Sequence, residues 1–255
     1  MEKEERKQLR AFLKDHIRKS VDFTQTDQSL GYPAPSPAKK IPEESTLIDL
    51  PTALDKPDYQ IPLSKAISRR QSHRKYLKEP LTLEDVSFLL WASHGVRAKS
   101  AGHFLRTVPS AGNRHALETY LAVLNVKGLE PGIYRYHFPT HQLVLAFQNE
   151  KLGNKLERAA LKQSFAGRGS LTFIWTALPY RMEWRYGEAS YKVIAIDAGH
   201  VCQNLYLACE AVHAGACAIA AYEQDYADQL LGVDGEDEFV VYMASVGKVK
   251  ESCPD

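Results

Sequence analysis

Three short runs in this 255-residue chain gather side chains that could do chemistry. In the first, Arg70, Ser72 and Arg74 stand at i, i+2 and i+4, with Gln71 beside them. On an extended backbone alternate side chains share one side, so this spacing sets two guanidinium forks around a hydroxyl. Arginine donates paired hydrogen bonds to oxyanions, which makes the run a cradle for a phosphate or a polyol. The same residues also read as a solvated basic patch. The second run, Arg106-Thr-Val-Pro109-Ser110-Ala111-Gly112-Asn113, is a tight loop of small residues ahead of an apolar stretch. Backbone of that kind approaches a ligand closely at the end of a sheet. The third run, Val246-Gly247-Lys248-Val249-Lys250, offers two lysines that either meet one anion or solubilise the end of a strand.

A helix must position these groups. From Glu188 to His213 the chain is free of proline and has one glycine, Gly199. Ile194, Ala198, Val201, Leu205, Ala208 and Val212 recur at alternating spacings of four and three, which predicts one apolar stripe of a helix on the order of 39 Å long. Val193, Ile196, Leu207 and Ala211 form a second stripe, so two faces need covering, one of them by something other than the domain itself, often a second subunit. Asp197, His200 and Asn204 draw a narrow polar line between the stripes.

Around this helix the pattern predicts alternating elements. Residues 3–19 read as a charged amphipathic helix with Leu9, Phe12, Leu13 and Ile17 on one face. Seven of the thirteen prolines then fall between Pro33 and Pro62, which predicts an extended arm, docked through its few apolar pairs or loose as a linker. The division expected is therefore residues 1–61 as helix and proline-rich arm, and 62–255 as the folded domain. A short helix is expected around Leu63–Ser68. Thr82 can cap a helix that Asp85 strengthens and Gly95 stops. Strands are expected at 119–125, 133–136, 143–147, 171–178, 216–221 and 238–247, with helices at 151–162 and 226–231. Strands separated by helices give an α/β or α+β sandwich.

Composition narrows the function. With 32 basic and 31 acidic residues no global charge draws the chain to nucleic acid or to an anionic membrane. Asp197 and Glu210 break the best apolar run, leaving none of the ~18 residues a membrane span needs, and the charged N-terminus lacks a signal-peptide core. Cys202, Cys209, Cys217 and Cys253 form no C-x-x-C pair and read as packing thiols of a reduced, cytoplasmic protein. No G-x-G-x-x-G, Walker loop, G-x-S-x-G or H-E-x-x-H occurs. His137 and His141 are four apart, but Pro139 between them spoils a helical zinc pair, so no metal site is expected.

Taken together, the arginine run ending in Tyr76, the segment PSAGNRHALETY, the DAGHVCQNLYLA core of the long helix and the ending LLGVD…VYMASVGK resemble the nitroreductase superfamily. Within it they are most similar to the SagB-type dehydrogenases, flavin enzymes related to the azoline oxidases of peptide biosynthesis. The resemblance covers about residues 62–250. It implies an α+β, FMN-binding fold with a central mixed or antiparallel sheet flanked by helices, shared across a homodimer with FMN at the interface. Carried over by position, it implies that Arg70, Gln71, Ser72 and Arg74 hold the FMN phosphate and ribityl chain, completed by Lys248 and Lys250. Pro109, Ser110, Ala111, Gly112 and Asn113 would contact the flavin from the partner side, with Asn113 as side-chain donor, and the backbone of Ala220 and Ala221 would face its N5 region. Where azoline oxidases carry a Lys-Tyr pair this chain has Arg185-Tyr186. Arginine stays protonated and is no general base, whereas Tyr186 could act as an acid or orient substrate.

The resemblance thus implies an FMN-dependent oxidoreductase, with NADH or NADPH reducing the flavin and a small nitro, quinone or enone acceptor reoxidising it. Two alternatives stay open: a SagB-type azoline dehydrogenase acting on a ribosomal peptide beside a cyclodehydratase partner, or a flavin-binding dimer without turnover.

Overall fold

The computed structural model describes residues 3–52, 59–100 and 102–250. Two apolar clusters lie on opposite faces of a seven-stranded antiparallel sheet, and the strand sequences show why. In β4 (Leu117–Val123), Leu117, Leu121 and Val123 face one cluster while Tyr120 and Ala122 face the other. In β7 (Leu171–Ala177), Phe173 and Trp175 face the first and Ile174 the second, so all seven residues are buried. A strand covered on both faces reads as a continuous apolar run, and LTFIWTA is one.

The sheet runs β1 (Leu47–Asp49), β6 (Gln142–Gln148), β5 (Gly132–His137), β4, β7, β9 (Phe239–Lys248) and β8 (Ala214–Ile219) from edge to edge. Helices α3 (Leu83–His94) and α6 (Ser190–Ala211) cover the first face; α4 (Leu152–Ala159) and α7 (Gln224–Leu231) cover the second. This is the α+β sandwich, its sheet antiparallel throughout the described strands.

The long helix keeps the expected stripe: Ile194, Ala198, Val201, Leu205, Ala208 and Val212 are all buried. Its second stripe is only partly covered, since Ile196 is 48% exposed and Val193 and Leu207 are half-buried. In the polar line, Asn204 Nδ2 donates to the Ala92 carbonyl at 2.9 Å and so locks α6 to α3. The capping box at Thr82 and Asp85 is formed. Gly95 ends α3 for a different reason from the one expected. Its φ is −80°, outside the left-handed region, and a Cβ there would meet the Trp91 backbone at 2.6 Å.

Other differences are local. The N-terminal helix α1 stops at Ala11 (Lys3–Ala11) and a single 3-10 turn, His16–Lys19, follows; Leu9, Phe12 and Leu13 stay exposed because no element packs against them among the described residues. A hairpin, β2 (Val96–Ser100) with β3 (His103–Arg106), and a short helix, α5 (Tyr180–Tyr186), escape the pattern. The hairpin mixes charged residues with Val96, Phe104 and Leu105; Phe104 packs edge-on to Phe138, and Arg106 donates from Nε to the His94 carbonyl at 3.0 Å with its guanidinium 3.9 Å from the Phe138 ring centroid.

The proline-rich arm is docked on its own chain. Its β1 extends the sheet by pairing with β6. Upstream, Lys39 forms an ion pair with buried Glu238, which also accepts from Tyr120 and Thr176. The Lys39 backbone N–H donates to Glu118 at 3.1 Å, and Arg135 and Arg181 hold the carbonyls of Lys40 and Ser36. Glu118 is also paired with Arg181 at 2.6 Å.

Candidate functional site

Helix α2 (Leu63–Arg69) ends as Arg70 turns into extended backbone, with the Arg70 N–H donating to the Ala66 carbonyl. The chain then lies along the free edge of β8: Ser72 bridges Ala216 in parallel, and the His73 N–H donates to the Ala216 carbonyl at 2.9 Å. Alternate residues therefore turn to one side. Ser72 Oγ is 3.0 Å from the Tyr206 hydroxyl, which accepts from the Ala218 N–H at 2.8 Å. The Arg70 guanidinium stands 5.4 Å from the Tyr206 ring centroid, and that of Arg74 stands 5.6 Å from Phe165. Among the described residues neither arginine makes an ion pair within 4.0 Å, and Gln71, Ser72 and Arg74 are exposed. Two guanidiniums without an ion-pair contact and a hydroxyl on one extended strand suit a phosphate, and Glu210 acts on Arg70 only from farther away.

Ala220 and Ala221 follow β8 directly and are exposed; Gln163 Nε2 donates to the Ala221 carbonyl at 3.0 Å. Through the turn at 163–165 they neighbour Arg74. Lys248 and Lys250, expected to meet one anion, diverge. The Lys248 ammonium is 3.0 Å from Asp85 Oδ2 and donates to the Val212 carbonyl at 2.7 Å. The physical reason is that buried Asp85 needs a cation, and burial opposes its ionised form until Thr82, Tyr59 and Lys248 offset it. Lys250 instead lines a small cavity of about 20 Å³ with Arg69, His73 and Glu210. Arg69 reaches Glu210 at 3.6 Å, while burial raises the Glu210 carboxyl.

The second run forms the loop that was expected. Ala111–Asn113 is one 3-10 turn in which Gly112 and Asn113 both take φ of 57°. Ser110 Oγ accepts from the His115 N–H at 2.9 Å. The side chain of Ser110 and the backbone of Ala111 bond the carboxylate of Asp197, which comes from α6, is 5% exposed and keeps Oδ2 without a partner. Burial raises the Asp197 pKa, and these hydrogen bonds oppose the shift. Asn113 is not free to donate outward: its Nδ2 donates to the Phe104 carbonyl at 3.1 Å, and its Oδ1 lies 2.9 Å from His115 Nε2. A side chain on a left-handed residue is used here to fix the loop to the hairpin. His115 is held neutral, pushed down to about 3 by burial and by Arg106, Arg114 and Arg181. Neutral, with Asn113 Oδ1 as acceptor, its Nε2 carries the proton.

Arg185 and Tyr186, at the end of α5, meet this loop. A Cβ at Gly112 would fall 2.7 Å from the Tyr186 hydroxyl oxygen and 2.8 Å from Arg185 Cδ and Nε. Pro109 is exposed at the loop's start. Beside them Arg114 donates from Nε to the Arg181 carbonyl at 3.1 Å, its guanidinium 4.6 Å from the Trp184 ring centroid.

Sequence reasoning passed over three residues here. Asp197 was visible as part of a polar line without its partner, the Ser110 loop. Tyr206 lay inside an apolar stretch and gave no signal. Arg114 was overlooked beside the small residues before it. Asp197 and Tyr206 are nine residues apart on α6, two and a half turns, hence on opposite faces and roughly 13 Å apart along the axis. Among the described residues no group of three or more His, Cys, Asp or Glu converges as a metal site. No described helix is long and apolar enough to cross a membrane.

Comparison with known proteins places these features in context. The family described as Nitroreductase family matches residues 67–248. A protein of Methanocaldococcus jannaschii provisionally named nitroreductase MJ1384 is 32% identical over 189 residues, covering 74% of this chain and 92% of that one. The trifolitoxin-processing protein TfxB of Rhizobium leguminosarum bv. trifolii is 30% identical over 201 residues, 74% of this chain but 53% of its own length. A nitroreductase-type crystal structure from Ralstonia eutropha JMP134 superposes with a TM-score of 0.68 at 25% identity, covering 86% of this chain and 96% of that one.

Proposed function

Because the chain belongs to the nitroreductase family, in its SagB-like branch, we propose that it is an FMN-dependent oxidoreductase that takes electrons from NADH or NADPH and passes them to a small nitro, quinone or enone acceptor. The observation that carries this reading is the Arg70–Ser72–Arg74 run, its two guanidiniums without an ion-pair contact, against β8 and Tyr206. Its donor set fits an FMN phosphate and ribityl chain: Arg70 and Arg74 would grip the phosphate, Ser72 and Gln71 the polyol, with Lys250 nearby. Bound FMN would supply two-electron hydride chemistry, accepting from the nicotinamide and giving to the acceptor in alternating half-reactions.

The chain's own part is to hold and orient. Tyr206 fixes Ser72 and the start of the 220–221 turn together through one hydroxyl. Gly112, without a side chain, lets Arg185 and Tyr186 lie directly against the loop, and the backbone of Ala220 and Ala221 is free to approach a ring edge. Arg185 keeps a permanent positive charge against an acceptor that gains electron density, and Tyr186 can hand it a proton. Asp197 and Tyr206 address opposite faces of α6, and Ile196 on the same helix is left 48% exposed. This favours a homodimer in which the Pro109–Asn113 loop of one copy completes the site of the other. The three described cysteines of the cluster are buried free thiols, in keeping with a reducing, cytoplasmic setting.

A second reading is favoured by one relative. TfxB is named for trifolitoxin processing, so the same site could dehydrogenate an azoline in a ribosomal peptide, removing two hydrogens, with oxygen as the final acceptor and a cyclodehydratase as partner.

The test is direct. The purified chain should be yellow and release FMN on denaturation; NADH or NADPH should bleach it without oxygen, and a nitroarene or quinone should restore the colour. Arg70→Ala with Arg74→Ala should yield a folded, colourless dimer. A parent protein that is colourless and cannot be reconstituted with FMN overturns the proposal, and full flavin occupancy in the double variant overturns the phosphate assignment. Loss of two hydrogens from an azoline peptide, with no turnover of small acceptors, would select the second reading.

A further inference from the structure

We propose that Arg114 and Arg185 form an anion subsite beside Gly112 and Tyr186 that recognises the carboxylate of the oxidised substrate. This rests on the reading of Arg185–Tyr186 as the substrate end of the site and names the class of molecule it takes.

The argument begins with charge. Arg114 is half-buried, and its pKa is lowered, first by desolvation, then by the charges of Arg185 and Arg181. Two guanidiniums that repel each other at a partly desolvated place call for a counter-charge. The neighbouring carboxylates are engaged elsewhere. Glu118 is held by Arg181 at 2.6 Å, and neither Glu183 nor Asp197 is among the charges that act on Arg114. Among the described residues neither Arg114 nor Arg185 forms an ion pair, and no carboxylate is among the charges that act on Arg114.

Geometry then selects the anion. The Arg114 plane is backed by the Trp184 ring at 4.6 Å, and its Nε is already donating to the Arg181 carbonyl, which leaves its outer nitrogens to a ligand. Arg185 lies against Tyr186, 5.6 Å from the ring centroid, with its Nε packed directly over Gly112. Two flat, aromatic-backed forks around a residue without a side chain match a planar carboxylate on a flat molecule. Arg185 and Tyr186 can lie this close to the loop only because position 112 is glycine.

The test reads binding without turnover. By calorimetric titration, 4-nitrobenzoate should bind the parent protein at least tenfold more tightly than 4-nitrobenzamide, which has the same shape without the charge. Arg114→Gln and Arg185→Gln should each weaken 4-nitrobenzoate about tenfold and change 4-nitrobenzamide less than threefold, while Arg114→Lys, which keeps the charge, should recover part of the loss. Thermal unfolding of each variant close to the parent's shows that the fold is intact; if Arg114→Gln unfolds, Arg185→Gln alone carries the test. Equal affinity for acid and amide in the parent, or variants that bind the acid as the parent does, would overturn the proposal. So would variants that lose affinity for NADP+ alone, since the arginines would then serve the phosphates of the electron donor. A protein that distinguishes acid from amide yet cannot hold FMN would sink the oxidoreductase reading and keep this subsite; a yellow, active protein that fails to distinguish them would do the reverse.

Discussion

Single side chains at the loop can be separated by what each one holds. Asp197 anchors Ser110 and Ala111 from α6 while burying a carboxyl whose Oδ2 has no partner. Asp197→Asn keeps one acceptor and removes a buried charge, so unfolding free energy should stay within about 1 kcal/mol of the parent, whereas Asp197→Ala should cost ~1–3 kcal/mol by leaving the loop donors unmet; chemical denaturation of both variants decides. Gly112→Ala combines a left-handed φ of 57° with a methyl driven against Tyr186 and Arg185. Both contacts are with movable side chains, so stability should fall by only ~1–2 kcal/mol, while acceptor turnover falls at least tenfold as those two groups are displaced. Two buried histidines set a pH response. His94 is held well below its ordinary 6.5 and His115 is pushed down to about 3, both chiefly by desolvation, so below 6.5 the unfolded chain binds protons that the folded one refuses. Stability should be full above pH 6.5 and decline as pH falls from there toward 3, with a slope of up to ~1.4 kcal/mol per pH unit for each histidine. Urea midpoints at pH 7.5 and 5.5, in the parent and in His115→Gln, would expose a flat profile if this is wrong. At this scale the sequence disclosed groups better than partners. The spacing of Arg70, Ser72 and Arg74 was readable because an extended run needs only alternation, but Lys248 answers to Asp85 and Asn113 to Phe104, pairings that exist only once distant segments meet.

Among the elements, those that bury a repeating face were readable and those held by polar contacts were not. The stripe of α6 and the continuous apolar runs of β7 and β9 carry their burial in their spelling. The β2–β3 hairpin, by contrast, is secured by Arg106 bonded to the His94 carbonyl, by Asn113 and Trp91 on its carbonyls and by Phe104 against Phe138, contacts that no periodicity reports. The end of α1 at Ala11 follows from the same rule, because a stripe with nothing to pack against adds little to a short helix. Helix α3 offers the cleanest measurement. Thr82 and Asp85 satisfy each other's backbone donors, and Asp85 also ties the helix start to Lys248 at the end of β9. Thr82→Ala should therefore lower stability by about 1 kcal/mol, the usual worth of such a cap. If its melting temperature matches the parent's, the cap contributes nothing here.

Over the whole molecule, residues 36–50 are part of the body they precede. Lys39 meets Glu238 across the sheet, and Tyr120 and Thr176 complete that carboxylate's partners. Lys39→Met should cost about 2 kcal/mol, less than the ~3–5 kcal/mol of a fully buried broken pair, because the Lys39 side chain is 33% exposed. A parent-like urea midpoint would mean that the arm is seated by its backbone contacts alone. Arm residues also sit at one margin of the sheet, where β1 joins β6, while Ser72 and His73 lie at the opposite margin against β8. A nascent chain leaving the ribosome presents these two segments well before their berths, one near residue 145 and the other near 216. The β1 segment must therefore wait, unplaced, for residues 142–148 and the Ser72–His73 segment for residues near 216, so their docking should lag behind their own synthesis.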